Sequence, residues 1–401
     1  MTSTNATRLA AGDLLDVWIE KVAHGGHFIA RHDGAVIFVR HAIPGERVRI
    51  TITATGSSFN RGDVIEVLEA SPDRVLAPCS FAHRNGCGGC DFQHIGITRQ
   101  RHLKEDVIIE QFSRHASMDV VVRVEEVAEP LHWRTRLIAT TNLEGNLGFF
   151  ASRSHTIIPV DDCIIAVPSM KMHELTRRKW KPDVRVEVSA SSNGERTIAL
   201  SPKDGEGKAR LTEGSQIVHE EFNGKTLEVS QNSFWQSHIN APSVLIDVVL
   251  DFAQLVEGDH VLDLYGGVGL FTSSLVESVG PKGSIDLLEG SKSATADARR
   301  NFANNSNVTI HLGDVAKLLP HVSKTDVIVL DPPREGAGKI VVAEMSRLKP
   351  RAIVYVSCDP ASLARDTAYL KAHGYSLSKI RAFDLFPMTH HVECVAQYLP
   401  N

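Results

Sequence analysis

No stretch of this 401-residue chain is apolar over the length a membrane span needs. The first residues, Met1 to Gly12, are polar and lack the apolar segment of a secretory leader. A cytoplasmic location is therefore expected. Positive charge is not in excess either: 43 Lys and Arg face 48 Asp and Glu, a net charge of -5. That excludes a uniformly basic surface for nucleic acid, so any such site must be a local patch. Six cysteines are too few to staple a chain of this size. In a reducing compartment they read as ligands, nucleophiles or core residues rather than disulfides. There is no internal repeat and no low-complexity tract. What remains is ordinary for globular domains, at 42% hydrophobic and 23% charged residues, and the length suggests two or three of them.

The N-terminal part, residues 1–72, reads as a small OB-like β-barrel. Leu15, Val17 and Ile19 alternate with polar neighbours, as do Val48, Ile50 and Ile52. Ala35 to Val39 and Val64 to Leu68 are further strands, and Gly25-Gly26, Asp33-Gly34, Pro44-Gly45 and Arg61-Gly62 are turns. Such barrels commonly carry nucleic acid, and His24, His27, Arg31, His32, Arg40 and His41 would offer donors to phosphates. A solvated rim on a structural barrel is the competing reading.

Residues 73–227 open with Cys79, then Cys87-Gly-Gly-Cys90. A Gly-rich Cys-x-x-Cys lets the backbone wrap around a metal, and glycine amides can point at sulfur. Three thiols need a fourth, and Cys163 is the best candidate. Spacing leaves zinc and an iron–sulfur cluster both open. Thr98 to His115 has the periodicity of an amphipathic helix. Strands are expected at 136–141, 147–150, 184–188 and 197–200. Trp133-Arg134-Thr135-Arg136, Arg153 and Arg177-Arg178-Lys179-Trp180-Lys181 mix cations with aromatics. This suits phosphate contact plus base stacking, or equally a solvated face with the tryptophans packed inward.

From 228 to 401 strands and helices alternate, which implies a parallel sheet flanked by helices. The first strand, His260 to Leu264, runs into Asp263-Leu-Tyr265-Gly-Gly-Val-Gly269. The second ends at Glu289, and the third is followed by Gly313-Asp314. A glycine turn lets the backbone approach a cofactor closely. Acids at successive strand ends can take ribose hydroxyls and an adenine amino group. The order resembles the S-adenosylmethionine site of class I methyltransferases; a nicotinamide site is the main competitor. The fourth strand opens into Asp331-Pro-Pro-Arg334. Arginine replaces the aromatic residue that amino-group methyltransferases place there, which argues against attack by an exocyclic nitrogen. The fifth strand, Ala352 to Val356, stops at Ser357-Cys358-Asp359-Pro360, and so presents a cysteine at a strand end, where open α/β sheets bind ligands. Near the C-terminus Glu393 enters another strand.

A thiol, a carboxylate and a methyl donor in one site are what methylation of uracil at C5 requires. C5 is a poor nucleophile until a thiolate adds to C6, and the C5 proton must then be removed before the thiolate leaves. Cys358 and Glu393 are the candidates for these two roles. A free thiol has a pKa of about 8.5, and the helix expected to start near Pro360 would help Cys358 ionise.

With these motifs the chain resembles the RNA (uracil-5-)-methyltransferase family over nearly its whole length. Asp331-Pro-Pro-Arg334 through Ser357-Cys358-Asp359-Pro360 resembles the family's nucleophile region, and Phe386-Pro387 through His391-Val392-Glu393 its C-terminal signature. The resemblance implies a TRAM-like barrel (1–72), an iron–sulfur loop with a central α+β domain (73–227), and a Rossmann-like class I methyltransferase domain (228–401). It implies Cys358 as nucleophile and Glu393 as base. It implies S-adenosylmethionine contacts at Gln236, Tyr265, Glu289, Asp314 and Asp331, and a [4Fe-4S] cluster on Cys79, Cys87, Cys90 and Cys163. The expected substrate is a uridine in structured RNA, with 23S rRNA favoured over tRNA, and no membrane or obligate protein partner is evident. The seven residues between Cys79 and Cys87 are more than the family usually has. Two other readings compete. One is an RNA cytosine-5 methyltransferase, which would be marked by a Pro-Cys motif where this chain has Ser357-Cys358. The other is a non-catalytic RNA-binding scaffold, against which the intact acids and Cys358 argue.

Overall fold

The computed structural model describes residues 9–205, 207 and 209–401; the first eight residues of the polar N-terminal stretch lie outside the described residues. Two compact units are present. One comprises the chain through Val107 with Gly148–Val160 and Phe386–His391; the other comprises Ile108–Leu147, Asp161–Leu385 and Val392–Asn401.

In the first unit, β1 (Leu14–Ala23), β2 (His27–His32), β3 (Ala35–Arg40), β4 (Arg47–Ala54) and β5 (Asn60–Glu69) close into a barrel in the order β1-β2-β3-β5-β4. Alternation along these strands turns Val17, Ile19, Phe28, Ala30, Ile37, Val39, Val48, Ile50 and Ile52 inward. Helix α1 (Ile97–Ala116) adds Leu103 and Val107 to this core. Fully buried Glu46 holds Arg74 through Oε1 and Oε2 (both 2.6 Å) and accepts the Ile43 amide (2.8 Å), which closes the barrel's exit. The segment Phe386–His391 docks within the same unit. Gln100 accepts the Met388 amide (2.9 Å), the Phe92 amide donates to the Met388 carbonyl (3.0 Å), and Asp91 accepts the His390 amide (3.0 Å).

The second unit begins with β6 (Val124–Glu125) and β7 (Arg136–Thr141). Then β8 (Leu147–Phe150) and β9 (Ile157–Pro159) form an antiparallel pair, of which Gly148 onward belongs to the first unit. After α2 (Met172–Thr176), β10 (Val184–Ala190) pairs antiparallel with β7 and with β11 (Arg196–Pro202), and β11 pairs with β12 (Arg210–Glu213). β13 (Ile217–Phe222) and β14 (Lys225–Ser230) make a hairpin.

The remainder is a wound α/β layer. Its elements are α3 (Ala241–Ala253), β15 (His260–Leu264), α4 (Thr272–Val279), β16 (Ser284–Glu289), α5 (Lys292–Asn301), β17 (Val308–Leu312), α6 (Val315–Leu318), β18 (Val327–Leu330), α7 (Gly338–Arg347), β19 (Ala352–Ser357), α8 (Pro360–Ala372), β20 (Tyr375–Phe383) and β21 (Glu393–Pro400). The sheet order is β17-β16-β15-β18-β19-β21-β20-β6. β15 to β19 are parallel as expected, but β21 is antiparallel to both β19 and β20, so the sheet is mixed. A β18 with every residue buried, and a β19 likewise, need apolar cover on both faces. Each fully buried Leu, Ile or Val there contributes about 1.5–3 kcal/mol. Ile108, Phe112 and Ala116 of α1 belong to this second core.

Candidate active site

The central strands deliver their polar ends to one edge of the sheet. Asp263, on β15, is fully buried; its Oδ2 accepts from the Thr272 amide (3.1 Å) and hydroxyl (2.6 Å), which pins the glycine turn to the start of α4. Its Oδ1 is buried with no protein donor. Burial holds the carboxyl up at about 7, against the pull of Thr272. Glycine is required in the turn: a Cβ on Gly269 (φ +98) would lie 2.1 Å from the Phe302 ring, and one on Gly266 would lie 2.6 Å from Leu287. A Cβ on Gly267 (φ +57) would instead meet nothing within 4 Å. Glu289, at the end of β16, accepts the Gly267 amide (3.1 Å) and the Ser291 amide (2.6 Å). Tyr265 is half-buried at φ +59, and Asp314 is an exposed N-cap of α6.

Beyond β18, Asp331 accepts from the Gln236 side-chain amide (3.0 Å). Desolvation, and secondarily the Asp263 charge, push the Asp331 carboxyl up to about 7, while the Gln236 bond opposes the rise. Tyr355 and Asp366 hold the following loop: the Asp366 carboxylate accepts from the Tyr355 hydroxyl (2.8 Å), the Ala337 amide (2.8 Å) and the Gly338 amide (3.1 Å). Sequence reasoning missed Asp366. The one available signal was an acid on the inner face of a helix, directly after Arg365.

The register of β19 and β21 brings the two reactive candidates together. Ile353 pairs with Tyr398 and Ser357 with Cys394, where the ladder ends, so Cys358 and Glu393 are the residues next to its last pair, close enough for the Glu393 carboxylate to act on the thiol. Glu393 is almost fully buried and Cys358 half-buried. Asp359 caps α8 by accepting the Ser362 amide (2.8 Å), so the α8 N-terminus sits where the sequence placed it. Its expected effect on the thiol does not prevail. Burial, then the Glu393 and Asp331 charges, push the Cys358 thiol up to about 12, with Arg334 the opposing influence. Glu393 is likewise raised well above the usual carboxylate range by desolvation and by Asp331.

Three family models match the chain: TRAM domain over residues 9–65, Methyltransferase small domain over 227–356, and tRNA (Uracil-5-)-methyltransferase over 319–399. An uncharacterized RNA methyltransferase of Streptomyces avermitilis is 41% identical over 96% of this chain and 98% of its own length. The 23S rRNA (uracil(1939)-C(5))-methyltransferase RlmD of Shewanella amazonensis is 30% identical, over 95% of this chain and 94% of its own. The chain belongs to the RNA (uracil-5-)-methyltransferase family. In the crystal structure of Pyrococcus abyssi tRNA (uracil-54, C5)-methyltransferase with S-adenosyl-L-homocysteine the same fold recurs. It has a TM-score of 0.73 at 22% identity and covers 96% of this chain and 99% of that one.

As a member of the RNA (uracil-5-)-methyltransferase family, the chain is an S-adenosylmethionine-dependent RNA methyltransferase, and its residues fit that cofactor. Open space at Gly267, an unsatisfied buried oxygen on Asp263 and two further acids converge on the glycine turn. The cysteine loop is less advanced. Cys79, Cys87 and Cys90 lie half-buried in the first unit and Cys163 half-buried in the second. The Gly89 amide points at Cys87 Sγ (3.4 Å), and a Cβ on Gly88 would lie 2.6 Å from the Ser152 nitrogen, so the loop is tightly wound. Among the described residues no group of three or more His, Cys, Asp or Glu side chains is placed to hold a metal ion. The [4Fe-4S] cluster implied by the resemblance finds no support in such a group.

Several members of the basic patches expected from sequence are already engaged or neutral. Arg31 is paired with Glu20, while burial pushes His27 and His41 down to about 4 and about 3, leaving them neutral. Trp133 is buried and stacked on His238 at 5.6 Å, and Arg178 is paired with Glu213. No helix among the described residues is long and apolar enough to cross a membrane.

Proposed function

We propose that the chain methylates C5 of a uridine in structured RNA, most readily 23S rRNA, by covalent addition of Cys358 to C6. The observation that supports this is the β19–β21 ladder, whose last pair, Ser357 with Cys394, adjoins Cys358 and Glu393, together with the influence of the Glu393 charge on the thiol. Gln236, Tyr265, Glu289, Asp314 and Asp331 would hold S-adenosylmethionine, which when bound supplies an electrophilic methyl group and a positive sulfonium. The target base must leave its stack to reach a half-buried thiol. Cys358 releases its proton to solvent and its Sγ bonds to C6; the electron pair of the C5–C6 double bond moves toward the O4 carbonyl, and C5 becomes the nucleophile. Once C5 carries the methyl group, Glu393 in its carboxylate form takes the C5 proton. The C5–C6 double bond re-forms and the Sγ–C6 bond breaks. A carboxyl raised by burial suits this step, because a stronger base accepts a carbon-bound proton more readily. Arg334, the group that favours the thiolate, would help the first step.

The barrel of residues 1–72 we assign to RNA binding. The 23S rRNA methyltransferase named among the relatives supports the favoured RNA. Cys79, Cys87, Cys90 and Cys163 are proposed to take up an iron–sulfur cluster, supported by an all-thiol donor set and the Gly89 amide aimed at sulfur; no step above passes through it. Iron and sulfide analysis of anaerobically purified protein, with Cys87→Ala alongside, decides that point. The main test incubates the protein with 5-fluorouridine-substituted 23S rRNA and S-adenosylmethionine. A covalent adduct formed by the wild type and absent in Cys358→Ala is expected. No adduct with 23S rRNA or tRNA, from protein shown to bind the cofactor, would overturn the mechanism.

A further inference from the structure

A groove of about 520 Å³ lies in the second unit, lined by residues that the chemistry above does not use. They include Arg134 and Arg136, Ile138 on β7, Glu187 on β10, and Phe234 from the segment leading to Gln236. Its volume falls within the range of sites that hold a nucleotide-sized ligand.

Three features make its walls unusual for an inert crevice. First, Phe234 is 67% exposed and Ile138 54% exposed, although Trp235 between Phe234 and Gln236 is buried against Phe222. The chain at 234–236 therefore sends one aromatic ring outward into the groove, its neighbour into the core, and Gln236 to Asp331. Second, two guanidinium groups line the groove. Arg134 is held by its Nε bond to the Arg136 carbonyl (2.8 Å). Arg136 donates through Nη1 to the Ser233 carbonyl (2.5 Å), and its Nη2 has no protein acceptor. That nitrogen is buried, and the Glu220 and Asp297 carboxylates act on Arg136, so Arg134 is the cation the groove offers to a phosphate. Third, Glu187 accepts from Ser201 (3.0 Å) and Gln231 (3.4 Å), which fixes a carboxylate able to take a base N–H.

We propose that this groove binds a nucleotide flanking the target uridine, with its base stacked on Phe234 and its phosphate at Arg134. The proposal rests on the RNA-modifying reading above and adds to it a specific subsite for single-stranded RNA. An aromatic face with adjoining cations is the pairing that holds single strands, where every base offers a π-face and every linkage a charge.

Fluorescein-labelled hexauridylate, titrated by anisotropy against the full anaerobically purified chain, tests this directly. Phe234→Ala is expected to weaken binding by about fivefold or more, the lower end of what one base–aromatic stack contributes, and Phe234→Tyr to restore it. Arg134→Gln should reduce the slope of log affinity against log salt by about one unit. Calorimetry with S-adenosylhomocysteine confirms that each variant keeps its fold near Gln236. Unchanged hexauridylate affinity in Phe234→Ala overturns the subsite, as does uridine 5′-monophosphate competing as well as the hexamer. The two readings fail separately. Methylation with an unaltered KM in Phe234→Ala removes the subsite and leaves the activity. Phe234-dependent hexauridylate binding by a protein that methylates neither 23S rRNA nor tRNA keeps the subsite and removes the activity.

Discussion

Cys358 in the resting protein should be a slow thiol. Its pKa of about 12 comes from burial first and from the carboxyls of Glu393 and Asp331 next. Near pH 7.5 that leaves about one molecule in 30,000 as thiolate, against about one in ten for an ordinary thiol of pKa about 8.5. The deficit is roughly 3,000-fold. A more basic thiolate is intrinsically more nucleophilic, with a Brønsted slope of about 0.4–0.5, which returns roughly 40-fold. Exchange with a small neutral disulfide should therefore run roughly 100-fold slower at Cys358 than at an exposed cysteine peptide. The rate should keep climbing with pH well beyond pH 9. Peptide-resolved mass spectrometry after timed quenching measures it, with Cys358→Ser confirming the assignment. A half-maximal rate below about pH 9 would refute the view that desolvation outweighs the α8 N-terminus. Added S-adenosylmethionine, a cation, should speed the exchange.

Other outcomes follow from single residues. Glu393→Gln should still bond to RNA but fail to release it, so the methylated covalent adduct accumulates on gels with unmodified 23S rRNA; rapid release would remove Glu393 as the base. Asp263 has its pKa raised from the usual range to about 7, so the folded state holds this proton more tightly than the unfolded chain. Its contribution to stability is full below about pH 4 and lost as pH rises through about 7, a change of up to about 4 kcal/mol. Urea unfolding of the cofactor-free protein at several pH values, with Asp263→Asn as the flat control, tests this. Gly267→Ala and Gly269→Ala should part company. The former meets open space and should fold with a modest loss, about 1–2 kcal/mol for the left-handed conformation, yet bind S-adenosylhomocysteine poorly. The latter drives a Cβ into Phe302 and should lower the melting temperature markedly. Glu46→Ala leaves the Arg74 charge without its buried partner and should cost about 3–5 kcal/mol in thermal or urea unfolding.

The strands around the glycine turn were legible because each is an apolar run ending in an acid or cysteine. His260–Leu264, Arg136–Thr141 and Leu147–Phe150 have the bounds expected from sequence. The hairpin of β13 and β14 was not legible: Val-His-Glu-Glu-Phe carries acids at both kinds of position, one of them, Glu220, buried. β20 was hidden for a related reason, since Ser-Leu-Ser-Lys-Ile-Arg presents a mostly solvated strand. The mixed sheet could not be foreseen from alternation alone, because a strand's direction is set by its pairing rather than by its own residues. At the site, the residue types were readable but their ionisation was not. A helix terminus shows in Asp359-Pro360, whereas the desolvation that overrides it depends on how β19, β21 and the Asp331 loop pack. Asp366 was invisible for the same reason.

The ladder that ends at Ser357 and Cys394, beside Cys358 and Glu393, also determines which length changes the enzyme can absorb. Residues inserted into the segment between β20 and β21, Asp384 to Val392, lie outside the pairing and leave the register of Ser357 with Cys394 unchanged. A single residue inserted between Glu393 and Tyr398 would shift the strand by half a pleat period and turn Glu393 to the opposite face of the sheet, away from Cys358. Tolerance to lengthening should thus fall abruptly at Glu393. A scan of one-residue insertions across 386–398 would show this as a step in activity rather than a gradient.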